Sequence, residues 1–198
     1  TPMIDFVCKQ ASIDLWDVGG IAVDIGPGLF TGMRVGIASA QAIAQVIDVS
    51  IIPVTSLDIL AAAVQTNSEV IASVVDARRG EVYWSLYRMT DGKLKQVGKP
   101  QIGSPEMCAV DVLDRGQSTL LVGTGALKHE TEFRERLNPV LPALEIADDK
   151  YSMPLASTLV EIAHERALRG EWVQVDEVVP MYLRAPDAEI NWATRSAQ

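Results

Sequence analysis

The sequence is poor in the residues that build redox and metal chemistry. Of 198 residues, two are cysteine (Cys8 and Cys108) and two are histidine (His129 and His164). The cysteines form no CxxC pair and lie far apart, so neither a disulfide framework nor a thiolate metal site organises this chain. The histidines stand in neither an HxxxH nor an HExxH arrangement, and each is expected on a solvated helix face. Basic residues are also in short supply. Seventeen Lys and Arg against 26 Asp and Glu give a formal net charge of −9, which repels phosphate backbones and argues against autonomous nucleic-acid binding. No apolar run reaches the roughly 18 residues of a membrane span, and no signal-peptide pattern opens the sequence. With 48% hydrophobic and 22% charged residues, the composition is that of a soluble globular protein. The expectation is a protein of the reducing cytoplasm, without metal, cofactor or membrane contact.

What is present is an α/β pattern written twice. In the second half, "EVIASVVDA" and "GEVYWSLYRM" are β-branched and aromatic runs joined by "ARRG", a hairpin with Gly80 in its turn. A third strand through "KLKQVGKPQI" follows. Then come a helix capped by Ser104 with Pro105 at its first position, a buried strand in "STLLVGTGA", a polar helix "LKHETEFRERL", a short strand "ALEIAD", and a helix stopped by Gly170. The first half shows only the tail of that order. It has an amphipathic helix from Pro2, with Met3, Ile4, Val7 and Cys8 on one face, a strand "GIAVDI", a helix from Thr31 and a strand "VSIIPV". A helix that Ser56 is expected to cap closes it. The repeat predicts two units, 1–67 and 68–198, with three leading strands missing from the first.

The stretch "DIGPGLFTGMRVGIASAQAIA", Asp24 to Ala44, holds four of the fourteen glycines. It fails as a dinucleotide fingerprint because Gly32 falls one residue late for G-x-G-x-x-G after Gly26 and Gly28, and it fails as a P-loop for want of a lysine. Two readings survive. One is an anion site in which helix-start N–H groups hold a phosphate beside Arg34. The other is packing. Gly28, Gly32, Gly36, Ala40 and Ala44 recur every fourth residue, a nearly side-chain-free stripe on which another helix can lie close along the i±4 ridges. A helix-interior glycine costs roughly 1 kcal/mol relative to alanine, so Gly36 calls for a packing reason. The pattern does not say whether the second helix belongs to this chain or to another.

Elsewhere the chemistry is sparse. Asp24, Asp76 and Glu81 are the carboxylates at strand ends, too few for a nuclease metal site. "VGTGAL" (122–127) is either an adenosine-side loop of a sugar-kinase-like phosphotransferase or a strand-to-helix turn that needs glycine. Arg78 and Arg79 read as solvated turn charges, with a partner or tRNA phosphate contact as the alternative. "ERALRGEW" reads as an exposed helix end. The last stretch, with Tyr182, Leu183 and Trp192 as anchors, is expected to lie across the surface.

Three segments carry a resemblance. "GPGLFTGMRVGIASAQAIA" is similar to the glycine-rich signature of the TsaB (YeaZ) family, with Leu29 where serine is usual. "DARRGEVYW" resembles that family's hairpin and "PMYLR" its C-terminal motif. The family's opening strand has no counterpart here. The resemblance implies two RNase-H-like lobes of the actin/sugar-kinase type. It implies a non-catalytic partner of a TsaD-like catalytic subunit, which makes threonylcarbamoyladenosine in tRNA together with a TsaE-like ATPase. Contact with tRNA would be indirect, and a homodimer would form when the partner is absent. Family interfaces use the first-lobe helices. On this chain those helices present Met3, Val7, Gly28, Phe30, Thr31, Gly32, Met33, Arg34, Gly36, Ile37, Ala40, Gln41 and Ala44. The HxxxH metal pair of the TsaD-type subunit is not found in this sequence.

Overall fold

The computed structural model describes residues 2–184. Helix α1 (Pro2–Ala11) leads into strand β1 (Ile21–Asp24), helix α2 (Phe30–Ile47), strand β2 (Ile51–Val54) and helix α3 (Ser56–Ala62). Strands β1 and β2 pair in parallel, Ile21 opposite Ile51 and Asp24 opposite Val54. Helix α2 packs on this pair through Ile37, Ala40 and Ala44, which join Val23, Ile51 and Val178 in one apolar cluster. It stops at Asp48, whose left-handed backbone (φ 57°) caps the last turn through an N–H bond to the Ala44 carbonyl.

A second, five-stranded sheet is built from β3 (Val70–Arg78), β4 (Glu81–Thr90), β5 (Lys93–Gly103), β6 (Thr119–Val122) and β7 (Leu144–Ile146). Its strand order is β5-β4-β3-β6-β7. The first three strands form an antiparallel meander, and β6 and β7 add in parallel. The central strands are apolar on both faces, as a sheet covered on both sides requires. One face meets α4 (Pro105–Leu113) and α6 (Glu130–Leu137) through Trp84, Val112, Phe133 and Leu137. The other meets α3 through Leu57, Leu60 and Tyr87. Ser104 caps α4 as its sequence predicts, its hydroxyl accepting the Met107 N–H. The polar helix expected from Leu127 onward instead breaks in two. A short α5 (Thr124–Lys128) hands over to α6 at His129, which closes the first helix and opens the second. The final helix α7 (Ala156–Leu168) lies against β2 and α3.

Two features join the sheets. Arg166 of α7, expected at an exposed helix end, is three-quarters buried. Its guanidinium donates to the Pro53 carbonyl at 2.9 Å and to the Asp58 carboxylate at 3.0 Å. Asp58 in turn accepts the hydroxyl of Tyr87, from the larger sheet, at 2.9 Å. The second joint is the strap after α7. Val173 exchanges two backbone bonds with Ile51, the Met181 N–H reaches the Ile25 carbonyl, and Arg184 holds the Ala77 carbonyl and Glu81 at the β3–β4 turn. A division at 67/68 therefore follows chain order only, because the strap packs on the smaller sheet. Trp192 lies outside the described residues.

Truncating Arg166 removes the cation from the mostly covered Asp58 carboxylate and leaves it the Tyr87 hydroxyl, and losing one partner of such a pair costs about 1–3 kcal/mol. Arg166→Ala is expected to lower unfolding stability by that amount in urea titration, while Arg169→Ala, at the exposed helix end, is expected to change it by less than about 0.5 kcal/mol.

Candidate functional site

The glycine-rich loop leaves β1 at Asp24 and enters α2 at Phe30. Its geometry is fixed from within. The Asp24 carboxylate accepts the Gly26 N–H at 2.8 Å and the Ser56 hydroxyl at 2.8 and 2.9 Å, and the Ser56 N–H returns a bond to the Gly26 carbonyl. Ser56 is thus a clasp rather than the cap of α3. Thr55 caps that helix, its hydroxyl accepting the Asp58 N–H. The Gly26 N–H is thereby taken by a carboxylate and is not offered to a phosphate. Burial pushes the Asp24 carboxyl up, aided by nearby Asp58, against the stabilising bonds from Gly26 and Ser56.

Past the loop, the small-residue stripe splits. Four residues turn an α-helix about 40° beyond a full circle, so positions 32 and 44 face directions about 120° apart. Gly32 and Gly36 point outward, and a Cβ built on either, or on Gly28, meets no atom within 4 Å. Ile37, Ala40 and Ala44 point inward and are buried against the smaller sheet. This corrects the expectation that all five small residues, with Ile37, present one outward face. The remaining predicted positions divide in the same way. Met33 packs partly into the inner cluster, and the Gln41 amide donates to the Val175 and Val178 carbonyls of the strap. Arg34 stacks 3.9 Å over the Phe30 ring and donates to the Tyr182 hydroxyl at 2.6 Å. Thr31 is exposed. Helix α1 buries nothing, leaving Met3 80%, Phe6 61% and Val7 59% exposed. Gly32, Gly36, the β1 edge, Ile4 and Met153 line an apolar cleft of about 820 Å³.

A second cleft, about 480 Å³, opens between the start of α2 and the β3–β4 turn. Arg78, Arg79 and Gly80 all have left-handed backbone there, with φ of 62°, 55° and 76°. For arginine each such conformation costs on the order of 1 kcal/mol. Asp76 accepts Lys128 at 2.9 Å, pairs with Arg78 at 3.5 Å and takes the Arg78 N–H. Burial pushes its carboxyl up, but Lys128 and Arg78 pull harder and leave it below the usual carboxylate range.

The other candidates have structural explanations. A Cβ on Gly123 (φ 111°) would stand 2.4 Å from the Val74 carbonyl oxygen, and one on Gly125 2.9 Å from the Val74 side chain. "VGTGAL" needs glycine to pass over β3, not to receive a ligand. His164 is exposed as expected, whereas His129 is mostly covered, with Nδ1 3.6 Å from Glu132. Cys108 is buried, and burial pushes its thiol well above its ordinary value, so it stays protonated and inert. Among the described residues no three His, Cys, Asp or Glu side chains gather as a metal-ligand set, and no helix is long and apolar enough to cross a membrane.

This mixed α/β architecture is of the TsaD type. The family model described as "TsaD: tRNA N6-adenosine threonylcarbamoyltransferase" matches residues 1–192. Within that class the chain is 32% identical to the tRNA threonylcarbamoyladenosine biosynthesis protein TsaB of Bacillus subtilis (strain 168), over 96% of this chain and 80% of that protein. It is 29% identical to the TsaB of Haemophilus influenzae, over 96% and 79%. The crystal structure of a Pseudomonas aeruginosa protein described as similar to peptidase YeaZ superposes with a TM-score of 0.77, at 31% identity over 92% of this chain and 82% of that one. The chain belongs to the TsaB (YeaZ) family.

Asp24 gives the site a pH signature. Its folded carboxyl holds a proton to higher pH than the unfolded one, so its contribution to stability is full below the unfolded pKa and is lost as pH rises through the folded value. Asp24→Asn keeps the acceptor oxygen without the buried charge. It is expected to melt higher than the parent at pH 7, with the two converging below pH 4; a lower melting temperature at pH 7 would contradict this account.

Proposed function

We propose that this chain is a non-catalytic subunit in the synthesis of threonylcarbamoyladenosine in tRNA, and that it binds and activates a TsaD-like catalytic subunit through the outer faces of α1 and α2. The function of its TsaB relatives, as their names give it, supports the pathway. The observation that carries the interface is the open space over Gly32 and Gly36. Gly36, inside the helix, forgoes about 1 kcal/mol relative to alanine, and nothing in the described chain uses the room that it and Gly32 leave. A helix laid across them from another protein does. The exposed apolar residues Met3, Phe6 and Val7 of α1, with Phe30 and Val35 of α2, extend that surface into a patch of the kind soluble proteins keep for partners. In chain order residues 1–67 supply this binding unit, completed by the strap after α7, and the second RNase-H-like unit, which the sequence division places in 68–198, backs it.

In this reading the contact set is Met3, Val7, Gly28, Phe30, Thr31, Gly32 and Gly36. Met33 and Gln41 brace α2 from within, Arg34 braces its exposed start against Phe30 and Tyr182, and Ile37, Ala40 and Ala44 seat it on its own sheet. A TsaE-like ATPase joins the same complex in the cytoplasm. Without its partner the chain pairs with a second copy through the same face. The rival reading, a sugar-kinase-like phosphotransferase, rests on "VGTGAL", whose glycines close packing over β3 already explains.

Gly36 separates association from folding. Gly36→Ala is expected to raise the stability of the isolated chain by about 0.5–1 kcal/mol. Gly36→Leu is expected to leave it folded and to abolish co-purification with the TsaD-like subunit. Retention of that complex at parental strength by Gly36→Leu would sink the interface.

A further inference from the structure

Helix α2 has a weak beginning. Its N-cap, Leu29, makes no side-chain capping bond, and no acidic residue stands in its first turn. Gly32 and Gly36 both fall within its first two turns. The N–H groups of a helix start need partners, which a Ser, Thr, Asp or Asn cap ordinarily supplies. Glycine lowers the local helix propensity further. Left to its own residues this turn frays, so its order has to come from elsewhere.

The strap after α7 supplies it. Arg34, one turn on from Phe30, lays its guanidinium 3.9 Å from the Phe30 ring centroid and 5.5 Å from that of Tyr182. Its Nε donates to the Tyr182 hydroxyl at 2.6 Å, and the two rings stand 5.7 Å apart. A charged donor held against aromatic rings makes a stronger bond than a neutral surface pair. Tyr182 is itself a fixed post, because the strap is tied down on either side of it. The Met181 N–H donates to the Ile25 carbonyl at 2.8 Å, at the root of the glycine loop. Arg184 donates to the Ala77 carbonyl at 3.0 Å and pairs with Glu81, both in the larger sheet.

We infer that Arg34 and Tyr182 are positioning residues of the partner-binding face: the strap end fixes the first turn of α2 in the attitude that a TsaD-like subunit meets. The inference rests on the proposed function above. Phe30, Thr31 and Gly32 of the contact set all lie on that turn. The fraction of time the turn is formed therefore sets the apparent affinity, even though Tyr182 need touch no atom of the partner. The same contacts link the face to the larger sheet, since Arg184 at the β3–β4 turn stands two residues from Tyr182. A cap at Leu29 would do locally what the strap does from 148 residues away.

The test measures binding of the full chain to the TsaD-like subunit by surface plasmon resonance, with amide hydrogen exchange of the free chain as a second readout. Tyr182→Phe keeps the ring and removes the hydroxyl. It is expected to weaken binding about three- to tenfold. It is also expected to speed exchange at amides 33–36, where the Met33 N–H donates to the Leu29 carbonyl at 3.0 Å, while β3 exchanges at the parental rate. Leu29→Ser supplies the missing cap. Added to Tyr182→Phe, it is expected to slow that exchange again and to bring affinity within about twofold of Leu29→Ser alone. The inference is overturned if Tyr182→Phe binds like the parent while Gly36→Leu does not bind, or if exchange at 33–36 is unchanged. Faster exchange that extends through β3 overturns it too, as a general loss of stability. So does a cap that restores exchange but not affinity, which would make the Tyr182 hydroxyl a direct contact. Parental binding by Gly36→Leu is a separate result that removes the interface itself, and this inference with it.

Discussion

The structure turns on one carboxylate. Asp58 sits in the first turn of α3, where the N-cap Thr55 holds its backbone. Its side chain accepts both the Tyr87 hydroxyl from the five-stranded sheet and the Arg166 guanidinium from α7. Arg166 also grips the carbonyl of Pro53 in β2. One residue thereby ties together the smaller sheet, the larger sheet and the last helix. The group is largely covered, so its members depend on one another: removing any one weakens the bonds that hold the others. The apolar clusters on either side supply most of the folding energy, but directional bonds of this kind decide how the two sheets are set against each other. The glycine loop inherits its position from that setting, because Ser56, two residues before Asp58, is the clasp on Asp24.

Much of this was legible in the residues. The hairpin at Gly80, the Ser104-Pro105 helix start and the strand runs follow from local chemistry acting within a few residues, and the structure has them where the pattern puts them. The reading failed where the deciding partner is distant in sequence. Ser56 looks like a cap because a serine precedes a helical run, yet Asp24, remote in sequence, claims its hydroxyl while Thr55 caps instead. Arg166 looks solvated in "ERALRGEW", and only the fold brings Pro53 and Asp58 to it. His129 looks like a surface residue of one helix because the junction between α5 and α6 leaves little trace in a polar run.

The candidate site shows the same division. Spacing by four found the stripe, but spacing alone treats a helix as if it had four residues per turn. The real period rotates the stripe from the surface to the core along its length, so the glycines and the alanines serve opposite sides. The exposure of α1 was legible as amphipathicity, though not that its apolar face lies uncovered. The β3–β4 turn was legible only as two adjacent arginines. That Lys128 and Arg184 are held beside it is a property of the fold.

The strap after α7 bears on the order of events during synthesis. Val178 is a core residue of the cluster that also holds Val23, Ala44 and Ile51, and Val173 pairs with Ile51 at the sheet. The smaller sheet therefore waits for a segment made after the whole larger sheet before its apolar centre is complete. In the interval, β1, β2 and α2 hold a notch where the strap belongs, and that half-built surface is the one most in need of protection from aggregation.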